Sequence, residues 1–181
     1  KGRKTVVGHW QDPKTLERIA VWQRVAAAWA DSQDMRIIRF GDQMNNVAVT
    51  DGDKVEAEIR FGFHVDYVPF SEVMTYFEKV EDKAVDELVQ VYFNEYDHAP
   101  ELEDKATEAY RKVWNSAKAE LTLRAVLEAY GAKAFTSNFD DLGDVNVEET
   151  GKGFDQIPGL ASQRLMADGY GFGGEGDWKT A

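Results

Sequence analysis

The carboxylate of Glu175 is the side chain in this sequence whose setting most clearly points to chemistry. It lies in GYGFGGEGDWKTA, residues 169–181, where five of the first eight residues are glycine. Such a loop before a helix can bind phosphate. This one lacks the Lys-Ser/Thr pair of a nucleotide loop, does not follow a clear strand, and carries an acid that would repel an anion. A plain turn is one interpretation; a site for a cation or a polar sugar is the other.

The residues on either side of Glu175 predict an ordered loop. The preceding segment, IPGLASQRLMADGYG, reads as a helix that starts at Pro158. After the acid, Asp177 is a good helix N-cap, and Trp178 is an unusual residue for a frayed end. We therefore expect a tight connection between two ordered elements.

Other catalytic or metal-binding patterns are absent from the sequence. His9, His64 and His98 are far apart and share no metal-ligand spacing. There is no HExxH motif and no G-x-S-x-G nucleophile motif. The acidic residues at 51–53 flank a glycine in a spacing that fits a turn, not a calcium loop.

Two further residues follow predicted strands. The apolar run at 35–40, MRIIRF, leads into the polar loop that holds Met44, and AKAFTSNF leads into a turn before Phe139. Either side chain could fill the core or form the apolar wall of a ligand pocket. If the strands are parallel, the loops that carry Met44, Phe139 and Glu175 lie at one end of the sheet and line one crevice.

Helical and extended patterns alternate along the chain. Apolar residues with helical spacing, and a strand-like alternation around 63–70, separate these loops. This order predicts an α/β fold with an open, mostly parallel sheet flanked by helices, a Rossmann-like three-layer sandwich. Helix starts are predicted at Asp12-Pro13, at the Asp53/Glu56 capping box, at Ser71 and at Pro158. Pro100 interrupts the helical pattern, and a long helix is predicted from Glu101 to its end at Gly131.

Composition restricts the class of protein. The formal net charge of −12 argues against a nucleic-acid partner, and the lack of cysteine excludes disulfides. No apolar run reaches the roughly 20 residues that span a bilayer, and the N-terminus does not read as a signal peptide. We expect a cytoplasmic protein without a membrane partner, and we expect both ends of this chain to lie within a longer one.

Several of these segments together resemble one family. The stretches VVGHWQD, RFGDQMNNVAVTDGDKVEAEIRFGF, FTSNFDDL and above all IPGLASQRLMADGYGFGGEGDWKTA are similar to L-arabinose isomerases. The resemblance covers nearly the whole chain. It implies that residues 1–33 are the helical end of an N-terminal domain and that residues 34–181 belong to a central α/β domain, with the C-terminal domain missing.

The resemblance also implies an activity. Members of this family interconvert L-arabinose and L-ribulose, and many also convert D-galactose to D-tagatose. They use a divalent ion, usually Mn²⁺, to polarise the sugar, move a proton between C2 and C1 through an enediol, and form hexamers. Glu175 falls on a metal ligand that is also an acid/base carboxylate, and Met44 and Phe139 fall on walls of the sugar pocket. The other metal ligands lie outside this chain, which implies that the chain alone is inactive.

Two departures and three alternatives accompany this resemblance. Gln43 stands where the family often has Asn, and the loop at 143–156 is longer than is usual and is either functional or mobile. The first alternative is a non-catalytic α/β sugar-binding module. The others are a related isomerase, such as one for fucose, and a structural oligomerisation module.

Overall fold

The sheet is open and entirely parallel. The computed structural model describes residues 3–138, 154 and 156–181, and in these residues four strands pair in the order β2-β1-β3-β4. The strands are β1 (Arg36–Phe40), β2 (His64–Val68), β3 (Ala134–Ser137) and β4 (Gly171–Gly173). The helices are α1 (Pro13–Ser32), α2 (Lys54–Phe61), α3 (Phe70–Phe77), α4 (Asp82–Glu95), α5 (Glu108–Tyr130) and α6 (Gly159–Ala167). The predicted α/β class is confirmed.

Local signals in the sequence fix the ends of two helices. The Asp12 carboxylate accepts a hydrogen bond from the Lys14 amide at 3.2 Å, and Pro13 occupies the first turn of α1, where no amide is needed. Helix α5 ends at Gly131, whose φ of 62° is the left-handed conformation that glycine adopts without strain. Both predictions are confirmed.

The predicted cap at Ser71 is wrong. Helix α3 begins at Phe70, and Pro69 is the capping residue. The Pro69 carbonyl already accepts hydrogen bonds from the amides of Glu72 and Val73, at 2.9 and 3.3 Å. The ring of Pro69 fixes φ near the value that a helix entry requires, so the cap and the helix start lie two residues earlier than the serine signal predicts.

The long helix begins later than predicted. Residues Pro100–Glu103 form a 3-10 helix, and α5 starts only at Glu108. The Thr107 hydroxyl caps α5 by accepting a hydrogen bond from the Tyr110 amide at 3.1 Å. The proline-led turn and the threonine cap therefore divide a segment that reads as one helix by periodicity.

The two faces of the sheet bury different sets of side chains. Ile38, Phe40 and Phe135 are completely buried on one face, beneath α3, α5 and α6. On the other face, Ile37 and Trp178 pack together with α2. Successive residues of a strand point to opposite faces, so these two clusters form helix–sheet–helix layers.

Strand β4 was not predicted. Its three residues, Gly-Phe-Gly, pair with β3 in the register Phe135↔Phe172, and the two rings are 4.9 Å apart. The glycine-rich loop of Glu175 therefore does follow a strand, contrary to the sequence-based interpretation.

Helix α1 stands apart from this core. Its apolar residues keep helical spacing but face outward, and only Thr15 of the helix is buried. The exposed apolar side chains of α1 are Leu16, Ile19, Val21, Trp22, Val25 and Trp29. None of the helices in the described part of the chain is long and apolar enough to cross a membrane.

Candidate active site at the carboxyl edge of the sheet

Three loops meet where β1, β3 and β4 end. The amide of Gly176, in the loop after β4, donates a hydrogen bond to the Ser137 carbonyl at 2.9 Å. The side-chain amide of Asn138, after β3, donates to the Asp42 carbonyl of the loop after β1 at 2.5 Å. Because all strands are parallel, these loops share one edge of the sheet, as the sequence predicts.

Glu175 is held in an unusual backbone conformation. Its φ is 62°, a left-handed value that is uncommon for a residue with a side chain. The side chain is exposed, and within the described residues its carboxylate has no hydrogen-bond or ion-pair partner. A strained residue with an unpaired charge at the edge of a parallel sheet is typical of a functional site.

The two glycines beside Glu175 differ in their surroundings. A side chain at Gly174 would meet open space. A Cβ at Gly176, where φ is 75°, would lie 2.9 Å from the Cα of Gln43 and 3.1 Å from the Asp42 carbonyl oxygen. Gly176 therefore lets the loop of Glu175 contact the backbone of the β1 loop.

The residues after Glu175 anchor its loop from the other side. Asp177 caps a 3-10 helix, Trp178–Thr180, by accepting a hydrogen bond from the Lys179 amide at 3.2 Å. The predicted cap is thus confirmed. Trp178 is buried, and its indole N–H donates to the Asp51 carbonyl. The Lys179 ammonium donates to the Val49 carbonyl at 2.6 Å.

Of the two predicted pocket residues, the structure describes only Met44. Met44 is half-buried and directly follows Gln43, so it is carried by the loop that touches Gly176. Phe139 lies outside the described residues, as does most of the loop at 143–156. Their roles remain predictions.

Arg39 is a site residue that the sequence reasoning missed. It lies in β1, and its side chain is only 8% exposed. Its guanidinium contacts Gln43 Oε1 at 2.9 Å and Asp42 Oδ1 at 3.1 Å, and it stacks over the ring of Tyr67. The available signal was an arginine inside the apolar run RIIRF, where a charge is costly unless it has partners.

The described residues do not complete a metal site. No group of three His, Cys, Asp or Glu side chains that could hold an ion occurs among them. His64 faces Glu58 and Asp34 at the other end of β2, and His98 contacts Glu103. Glu175 supplies one oxygen donor, which suits a hard cation such as Mn²⁺, but a single carboxylate is a weak site.

Comparison with known proteins assigns the chain to a family. Residues 36–181 match the family model of the L-arabinose isomerase central domain, and residues 1–34 match that of the N-terminal domain. The chain belongs to the L-arabinose isomerase family. The resemblance stated from the sequence motifs is confirmed.

Individual L-arabinose isomerases match along the whole chain. Identity is 70% over 179 residues with the protein of Phocaeicola vulgatus and 69% over 179 residues with that of Bacteroides thetaiotaomicron. Each alignment covers 99% of this chain and 34% of the relative. The protein of Geobacillus stearothermophilus is 46% identical over 181 residues, again 34% of its length. The chain thus spans about a third of the L-arabinose isomerases that it matches.

Proposed function

We propose that the protein containing this chain is an aldose–ketose isomerase that interconverts L-arabinose and L-ribulose, and also D-galactose and D-tagatose. Family membership supports the reaction class. Glu175 is the residue proposed to act in this reaction, because its carboxylate is exposed and has no partner among the described residues, and because it is held at φ 62° where three loops meet. A base that must reach a bound sugar needs this accessibility.

The proposed chemistry requires one carboxylate to carry a proton. Glu175 takes the proton from C2 of the aldose while the C1 carbonyl oxygen gains one, which gives the enediol. The O2 hydroxyl then loses its proton as the C2 carbonyl forms, and a proton is delivered to C1. A second acid/base carboxylate comes from a part of the protein outside the described residues.

Mn²⁺ is the proposed cofactor, with Glu175 as one ligand. When bound, the ion polarises the sugar oxygens and favours ionisation of the neighbouring C–H. The described residues fit such an ion only through this one carboxylate, so its other ligands must come from elsewhere in the protein. For the same reason we expect the 181-residue chain alone to be inactive and to bind the metal weakly.

The remaining expectations concern the pocket and the assembly. We propose that Met44 and Phe139 form apolar walls of the sugar site, and that the full protein is a cytoplasmic hexamer. The exposed apolar face of α1 supports burial against another part of the assembly.

The test is isomerisation of L-arabinose by the full-length protein with Mn²⁺. Glu175→Gln keeps the shape of the side chain and removes its charge, so we expect kcat to fall by about 10²–10⁴-fold. Glu128→Gln is the matched control, because Glu128 is exposed on α5 and lies near the opposite edge of the sheet. It should keep wild-type kinetics.

Two results would count against the proposal. A folded Glu175→Gln enzyme with nearly unchanged kcat would mean that the glycine-rich loop has only a structural role. A wild-type protein that binds sugars but isomerises none would favour the non-catalytic sugar-binding module.

A further inference from the structure

Arg39 is a buried cation, and its polar partners among the described residues all belong to the loop after β1. Its side chain is 8% exposed, and its two terminal nitrogens face Asp42 and Gln43, at 3.1 and 2.9 Å. The Asp51 carboxylate lies 4.0 Å away, at the far end of the same loop. The Nε atom is buried and, within the described residues, has no hydrogen-bond partner. The planar guanidinium therefore fixes the start of the loop in two places at once.

The loop held by Arg39 supports the loop of Glu175. The backbone of Asp42 and Gln43 is the surface that Gly176 contacts, at the distances that exclude a Cβ there. The Asp51 carbonyl accepts the indole hydrogen bond from Trp178. Glu175 thus sits in a short segment whose following residues rest on both ends of the loop that Arg39 fixes.

We propose that Arg39 is a positioning residue for Glu175. It touches no reacting atom; it sets the backbone of Asp42 and Gln43, and these set the loop that points the Glu175 carboxylate outward. The expected effect of Arg39 on kcat rests on the proposed function. Its expected effect on the position of the Glu175 loop rests on the contacts alone.

Arg36 offers a matched control within the same strand. It lies at the opposite end of β1, its side chain is 47% exposed, and it pairs with Asp66 at 2.5 Å. An Arg→Lys change at either position keeps the charge. At Arg39 the change removes a planar guanidinium that binds two partners through two nitrogens, because the lysine ammonium is a single point charge. At Arg36 only one partner is involved.

The experiment compares wild type, Arg39→Lys and Arg36→Lys in the full-length protein. Steady-state kinetics give kcat and KM, and hydrogen–deuterium exchange reports on the Gly176 amide, which is bonded to Ser137. For Arg39→Lys we expect kcat to fall by about 10- to 100-fold, with a smaller change in KM, since a misplaced catalytic group costs this much. We also expect faster exchange at Gly176. Arg36→Lys should match wild type in both.

The outcomes separate this inference from the proposed function. Wild-type kcat and exchange in a folded Arg39→Lys protein would overturn it, and so would an equal loss in Arg36→Lys. If the wild type isomerises no sugar, the proposed function fails, and exchange at Gly176 alone decides the role of Arg39. If Arg39→Lys does not fold, Gln43→Ala removes the acceptor from the loop side; unchanged exchange at Gly176 would then overturn the inference.

Discussion

At the scale of single residues, charge and burial separate a reacting group from a supporting one. Glu175 is exposed and unpaired among the described residues, whereas Arg39 is buried and paired at the same edge of the sheet. A buried guanidinium that makes several contacts is fixed in place, and a free carboxylate can accept a proton or a cation. The two roles proposed above follow from this contrast.

His98 gives a prediction about pH at the same scale. Its Nδ1 faces the Tyr96 carbonyl at 2.9 Å and its Nε2 faces the Glu103 carboxylate at 2.8 Å. Both neighbours are acceptors, so both contacts are hydrogen bonds only when both ring nitrogens carry a proton. The hydrogen bond to Tyr96, and then that to Glu103, raise the pKa of His98 above its ordinary value of 6.5.

A raised pKa in the folded state fixes the sign of the effect. Protonated His98 stabilises the folded state. This stabilisation is complete at a pH below the pKa of His98 in the unfolded chain, and it is lost as the pH rises through the pKa of His98 in the folded protein. We expect the wild-type unfolding temperature to fall more than that of His98→Gln when the pH rises above 6.5. Parallel curves for wild type and His98→Gln would contradict the prediction.

At the scale of elements, one buried carboxylate joins three helices. Glu120 on α5 is 1% exposed and accepts hydrogen bonds from Tyr92 of α4 at 2.6 Å and from Arg124 at 2.8 Å. Arg164 of α6 lies 3.5 Å from it. Burial, and then the bond to Glu120, raise the pKa of Tyr92 well above its ordinary range. Helices α4, α5 and α6 are therefore connected through one polar centre.

Removing this carboxylate should be costly. Glu120→Ala leaves the Tyr92 hydroxyl without its acceptor, while Arg124 keeps Asp168 and Arg164 keeps Glu95, so we expect the free energy of unfolding to fall by about 1–3 kcal/mol. Glu128→Ala, at an exposed position of the same helix, should change it by no more than about 0.5 kcal/mol. Urea unfolding of the 181-residue chain measures both. Similar values for the two variants would show that the network contributes little.

At the scale of the whole molecule, α1 and the α/β part are weakly joined. The links include the Asp31–Lys133 ion pair and the hydrogen bond from Gln33 to the Phe61 carbonyl at 2.8 Å. The apolar side of the helix faces outward. This arrangement matches the division of the chain between two family models, at residues 34 and 36.

The weak connection predicts that α1 can be removed. A chain of residues 33–181 keeps Gln33 and, of the two links named above, loses the exposed Asp31–Lys133 ion pair, which is worth at most about 1 kcal/mol. We expect its unfolding free energy to stay within that amount of the value for residues 1–181, with less binding of a hydrophobic dye. An unfolded 33–181 chain would refute a domain boundary near residue 33.

The sequence by itself determined the features that depend on neighbouring residues. The cap at Asp12-Pro13, the end of α5 at Gly131 and the apolar run of β1 are local signals, and the α/β class follows from their order. The motif around Glu175 was sufficient to indicate the family and a candidate ligand.

The tertiary structure decided what depends on distant partners. The strand at 171–173 has glycine at two of its three positions, which is a weak local signal for a strand, and it forms because it pairs with β3 in a parallel register. Arg39 has the same residue type as Arg36 three positions earlier, yet only the fold makes one buried and the other exposed. Strand pairing and burial are set by contacts between residues far apart in the chain. Periodicity and capping depend only on neighbouring residues, so they do not predict those contacts.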